Sequence, residues 1–261
     1  MIFPIGDEQV KGGHFPYVSY AFIGMNVLAF LFQLSYENAL ICEYGSIPNN
    51  ILAGNDYLTL FTSMFMHGGW MHLIGNMLFL WVFADNIEAK IGSLPFLAFY
   101  VLGGLAAHAG HIFIGGAGEA LASCCNPCGG GVPCTEGIRA CAGSIPTVGA
   151  SGAIAAVLGA YLVMFPHSKV KILVIYFFRS FHIAAYWFLG FWIVQQLFSG
   201  FTTLGPEGAG SGVAWWAHIG GFVFGLVAGF FARQSYGGGL KVSPTDDSPP
   251  QNPKNNNGDF V

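Results

Sequence analysis

Four side chains with the makings of catalysis lie inside otherwise apolar stretches of this chain. Ser151 sits in GASGAI (149–154), His218 in AHIGGFVFG (217–225), and His72 and Asn76 in HGGWMHLIGNM (67–77). A serine hydroxyl is a weak nucleophile until a base takes its proton. The carbonyl it attacks becomes an oxyanion, which needs donors aimed at it. Ser151 with His218 would meet the first need. His72, Asn76 and the Ser151 N–H, at a helix start, would meet the second. His72 and Asn76 are four residues apart and share a helix face. Gly149 and Gly152 clear side chains from where a substrate backbone must approach. The plainer reading is packing: Ser151, Ala155 and Gly159 form a small-residue helix face, and Gly221 and Gly225 follow His218 on another.

These residues need elements to hold them, and the composition says what kind. The 261 residues are 54% hydrophobic and only 8% charged, against about 25% charged in soluble domains. So few charges cannot cover a soluble surface, and the chain is expected to be an all-α polytopic membrane protein in contact with the lipid bilayer. A formal net charge of −4 suggests no nucleic-acid partner. The N-terminus lacks a basic region and a cleavable apolar core, so no signal peptide is expected. Six apolar runs are candidate spans: 16–36, 70–88, 94–115, 148–166, 182–200 and 213–232. A further run, 171–181, is interrupted by Arg179 and is expected at the interface or at the start of the fifth helix.

With the N-terminus inside, Lys11, Lys90, Lys169, Lys171, Arg179, Arg233, Lys241 and Lys254 fall inside and Arg139 outside. Both termini are therefore expected in the cytoplasm. The expected organisation is a cytoplasmic segment 1–15, a six-helix domain 16–233 with an outer loop 116–146, and a disordered cytoplasmic tail 234–261. In that topology the second, fourth and sixth runs all descend from the outer face. His72 and Ser151 lie near the start of theirs, and His218 about 8 Å into its own at 1.5 Å per residue. The three groups thus share a depth, with Asn76 one turn below His72.

The three stretches that carry them are similar to the signature motifs of rhomboid intramembrane serine proteases of the bacterial type. YLTLFTSMFMHGGW (57–70) and VLGGLAAH (101–108) also resemble that family's pattern, and the likeness covers most of residues 1–232. The resemblance implies a six-helix bundle and a Ser-His dyad. Ser151 would be the nucleophile and His218 the base, with His72 and Asn76 at the oxyanion. His67, Gly149, Gly152, Gly221 and Gly225 would support the motifs. It further implies no cofactor, transmembrane protein substrates cut in or near their spans, and a multi-pass place in the bacterial plasma membrane. The chain departs from the pattern at two points. Ala155 stands where some members have a Tyr under the base, leaving the ring to aromatics such as Phe222. Leu58 and Thr59 stand where some have a Trp-Arg pair.

His67 and His72 lack the HExxH arrangement of a zinc protease, so no metal is expected there. His108 and His111 are three apart on one helix edge and read as packing or structural hydrogen-bonding residues. Cys42, Cys124, Cys125, Cys128, Cys134 and Cys141 all fall in outer loops, which in an oxidising compartment reads as disulfides. Six cysteines allow 15 pairings. A Cys-x2-Cys metal site at 125–128 is the competing reading. Two functional rivals remain beside the protease: an inactive relative that binds membrane clients, and a small-solute transporter.

Overall fold

The computed structural model describes residues 2–11, 13–36, 39–115, 128, 143–177, 179–204, 212–236 and 242–243. Helices occupy all six apolar runs: α1 (Tyr17–Gln33), α5 (Trp70–Ile91), α6 (Ser93–Gly110), α7 (Ser151–Met164), α8 (Ala185–Thr203) and α9 (Trp215–Tyr236). Three short helices, α2 (Ala39–Tyr44), α3 (Pro48–Leu52) and α4 (Thr59–Thr62), lie between α1 and α5. A π-helical turn, His111–Gly115, extends α6. Together α6 with its turn (Ser93–Gly115) and α9 are long and apolar enough to cross a membrane.

The outward faces are apolar: Leu28 and Phe32 on α1, Trp187, Phe191 and Phe198 on α8, and Val223, Val227 and Phe230 on α9 are all exposed. The inward faces combine large apolar side chains such as Phe30, Leu80 and Phe83 with small and polar residues. Apolar outward faces suit a lipid surrounding, where helices associate through close backbone packing and hydrogen bonds. α7 is the core element, almost wholly buried, with α5, α6 and α9 packed around it. At 14 residues it is about 21 Å long, shorter than the run 148–166.

Its contact with α9 runs backbone on backbone. A Cβ at Gly221 would lie 2.1 Å from the Gly152 carbonyl oxygen, and one at Gly225 2.0 Å from that of Ala156. Seen from α7, a Cβ at Gly159 would meet the Phe222 carbonyl at 2.2 Å. The touching face of α7 is thus Gly152–Ala156–Gly159, one residue round from the Ser151–Ala155–Gly159 face expected. The offset leaves the Ser151 side chain beside α9 rather than under it.

Polar ties close the other end of the bundle. Buried Glu88 of α5 accepts from the Val18 and Ser19 backbone N–H groups at 2.9 and 2.7 Å, and from the hydroxyls of Ser19 (2.7 Å) and Ser93 (2.5 Å). It satisfies two orphan donors at the start of α1, with its negative charge at the positive end of that helix. Arg233 of α9 donates to the Val163 carbonyl in the last turn of α7 at 3.0 Å.

Two expectations need correction. The fold is mostly helical but not all-α, and 171–181 does not begin α8, which starts at Ala185. β3 (Lys169–Val174) and β4 (Arg179–Ala184) form an antiparallel hairpin, and β1 (Ile2–Asp7) pairs with β3 from Ile2↔Val174 to Asp7↔Val170. Val170, Ile172 and Leu173 satisfied the apolar count for a helix, but the strand pairing draws on a segment far away in sequence. The start of the chain is accordingly built into the fold. Buried Asp7 receives the Tyr161 hydroxyl of α7, the Asn86 amide at 2.7 Å and the Gln9 amide at 2.8 Å. β2 (Gln9–Val10) pairs with β5 (Val242–Ser243). Of the tail 234–261 expected to be disordered, 234–236 continue α9, and 237–241 and 244–261 lie outside the described residues.

Candidate active site

A cavity of about 710 Å³ opens among α5, α6, α7, α8 and α9, and Ser151, His218, His72, Asn76 and Gly149 all line it. The close packing of α7 on α9 sets its central contact. Ser151, the first residue of α7, has its Oγ 2.8 Å from Nε2 of His218 in the first turns of α9. On the far side of the ring, Nδ1 of His218 lies 2.8 Å from the side-chain oxygen of Gln196 on α8. Trp192, one turn before Gln196, lies across the ring face with centroids 5.9 Å apart, and Trp215 meets its edge at 6.2 Å. The aromatic support expected of Phe222 is therefore given by Trp192. Phe222 stands behind, 6.0 Å from Trp192.

The opposite wall comes from the start of α5. Gln33 of α1 takes both backbone groups of His67, donating to its carbonyl at 2.6 Å and accepting from its N–H at 3.0 Å. His67 is fully buried. Its Nδ1 faces the Phe65 carbonyl at 3.3 Å, which requires a proton there. Its Nε2 is then free to accept from the Asn76 amide at 3.0 Å. One N–H of Asn76 is thereby anchored and the other is left for the cavity. His72 follows the same logic. The Gly68 N–H donates to its Nδ1 at 3.3 Å, so Nε2 carries the proton and can donate.

Gly149 holds these two walls together. Its φ is +117°, a conformation suited to glycine, and its N–H donates to the Ser63 carbonyl at 2.9 Å. A Cβ there would lie 2.7 Å from Nε2 of His72 and 3.5 Å from the Asn76 amide. A side chain would thus fill the space between Ser151 and those donors. The chemistry available is a hydroxyl beside an imidazole, facing three donors: the Ser151 N–H, His72 Nε2 and Asn76 Nδ2.

The loop that leads into Ser151 is braced by the segment between α1 and α5. Ser46 and Thr147 exchange two backbone hydrogen bonds, at 3.0 and 2.8 Å, and Asn49 donates to Ser144 at 3.1 Å. Cys42 forms a disulfide with Cys128, with Cα atoms 5.3 Å apart. Cys124, Cys125, Cys134 and Cys141 lie outside the described residues. His108 is paired with Ser63 at 3.1 Å. Among the described residues, Nδ1 of His111 is buried without a hydrogen-bond partner.

Gln196 is the site residue that sequence reasoning missed. It lies near the C-terminal end of the apolar run 182–200, beside Gln195. The signal was present: Ala185, Leu189, Gln196 and Gly200 recur at helical spacing and are all buried, with one amide among them.

Comparison with known proteins agrees with these motifs. Residues 54–235 match the rhomboid domain. The chain is 27% identical to mitochondrial rhomboid protein 1 of Saccharomyces cerevisiae over 226 residues, 83% of this chain and 53% of the yeast protein. It is 30% identical to the rhomboid protease GluP of Bacillus subtilis over 94 residues, 34% of this chain and 18% of that protein. The chain thus spans about half the length of the first relative and less of the second.

Proposed function

Because this chain belongs to the rhomboid family, we propose that it is an intramembrane serine endopeptidase that cuts single-pass transmembrane proteins in or near their membrane segment. The observation that carries this reading is the 2.8 Å contact between Ser151 Oγ and His218 Nε2 on the wall of a donor-lined cavity. We take α1, α5, α6, α7, α8 and α9 as six spans with both termini in the cytoplasm, in a bacterial plasma membrane. The charge distribution supports this: of nine Lys and Arg, Arg139 alone would face out.

The course of reaction follows from the geometry. A substrate segment unwinds into the cavity with a peptide carbonyl over Ser151. The Ser151 hydroxyl gives its proton to His218 Nε2 as its oxygen attacks the carbonyl carbon. The oxyanion is met by the Ser151 N–H, His72 Nε2 and Asn76 Nδ2. His218 passes its proton to the leaving amine as the C–N bond breaks. Water from the outer side then attacks the acyl-enzyme, again with His218 as base, and frees Ser151.

The test uses purified protein, a serine-reactive fluorophosphonate and a model single-pass substrate. Wild type should label and cleave, and Ser151→Ala and His218→Ala should do neither. Cleavage by Ser151→Ala at the wild-type rate would overturn the assignment. A folded wild type that neither labels nor cleaves would point to a client-binding relative.

A further inference from the structure

We propose that Gln196 is a positioning residue for the Ser151–His218 pair: its side-chain oxygen fixes His218 as the Nδ1–H tautomer and so turns the Nε2 lone pair toward Ser151. This rests on the protease reading above. A neutral imidazole carries one N–H, and the hydrogen bond made by one ring nitrogen decides the state of the other. The amide oxygen of Gln196 only accepts, so at 2.8 Å from Nδ1 it requires the proton there. Nε2 is then an acceptor, as a base for the Ser151 hydroxyl must be. Without that oxygen a neutral imidazole in water favours the proton on Nε2. It would then point a hydrogen at Ser151 Oγ and could accept nothing from it.

The surroundings make this arrangement firm. Gln196 is 3% exposed and lies on the buried stripe of α8 with Leu189 and Gly200. Trp192 and Gln196 are four residues apart, so one helix face supplies both the ring contact and the amide. The position four residues after the nucleophile is Ala155, fully buried and with no polar group to offer. α8 thus holds the base in this chain. Gln196 is neutral and cannot balance an imidazolium as a carboxylate does. Its contribution is tautomer and orientation, and its loss should cost less than the ~10⁴-fold that follows when the carboxylate of a catalytic triad is replaced by an amide.

The experiment compares full-length wild type with Gln196→Met, which keeps the length and apolar packing and removes the acceptor. Gln196→Leu is the second variant should Gln196→Met lower the melting temperature. The expected result is a fall in kcat of about 10- to 100-fold, with KM changed by less than about twofold and fluorophosphonate labelling slowed in parallel. Nitrogen-15 spectra of histidine-labelled protein, with His218 assigned by its removal, should show the Nδ1–H tautomer in wild type and a mixture in the variant. A folded variant that keeps its kcat, or a wild-type His218 protonated on Nε2, overturns the proposal. Failure of the protease reading is seen separately, as a wild type that neither labels nor cleaves. The nitrogen spectra still decide the role of Gln196 in that case.

Discussion

Gly221 of α9 rests on the carbonyl of Gly152 in α7, close enough that a Cβ would come to 2.1 Å. One partner adjoins Ser151 and the other lies one turn past His218, so this contact sets the separation of the proposed nucleophile and base. The obstructing atom is backbone and cannot swing away. Gly221→Ala should therefore push the helices apart, lower the melting temperature and cut cleavage by about 100-fold, the scale of a 1 Å misplacement. Gly190→Ala on α8 is the control, since a Cβ there meets nothing within 4 Å. Equal activity in the two variants would refute the argument.

The Asn76 amide is proposed to do two jobs at once, one N–H on His67 and the other on the oxyanion. Asn76→Ala should lower kcat by about 10²- to 10³-fold, as loss of an oxyanion donor does elsewhere. His67→Ala should lower it by less, because the amide stays but loses its anchor. In a double-mutant cycle the His67 change should add little once Asn76 is gone, since the two act through one group. Additive losses would mean that His67 serves something other than Asn76.

The helices and the Ser151–His218 juxtaposition were readable because their signals are local. Apolar runs mark α1, α5, α6, α7, α8 and α9, and Ser151, His218, His72 and Asn76 interrupt them at fixed spacing. Long-range partners left no such mark. Nothing in 171–181 announces pairing with Ile2–Asp7, and Asp7 gives no hint that its partner Tyr161 is 154 residues away. Gln196 lies between these cases. Its burial follows from the stripe on α8, but its target depends on how α8 meets α9, which no periodicity encodes. The aromatic at His218 escaped for the same reason: Trp192 comes from α8 and not from α7, the helix of Ser151.

The disulfide between Cys42 and Cys128 ties together the two interhelical loops, after α1 and before α7, that Ser46 and Thr147 also join. The second of these loops delivers the chain into Gly149 and Ser151. Cys42→Ser should lower stability, with native disulfides contributing about 2–4 kcal/mol. Cleavage should fall along with it, because the backbone before Ser151 loses a brace. The measurement is melting temperature and cleavage rate for wild type, wild type with reductant, and Cys42→Ser. No change in either quantity would separate this loop from the site.

Asp7 makes the stability of the end of the bundle that holds β1 and β3 depend on pH. Burial, and next the neighbouring Asp85 carboxylate, push Asp7 from 3.8 up to about 8, against the pull of donors from Tyr161, Asn86 and Gln9. The folded chain then holds a proton that the unfolded chain has released, across the window from about pH 4 to about pH 8. The folded state binds more protons there, so stability falls as pH rises. The contribution is complete below the unfolded value and lost on passing the folded one. Thermal unfolding of the full chain should thus move to lower temperature between pH 5 and pH 8. Asp7→Asn carries no titrating proton and should flatten that slope while keeping an oxygen for Tyr161. The same slope in wild type and Asp7→Asn would assign the pH dependence to another group.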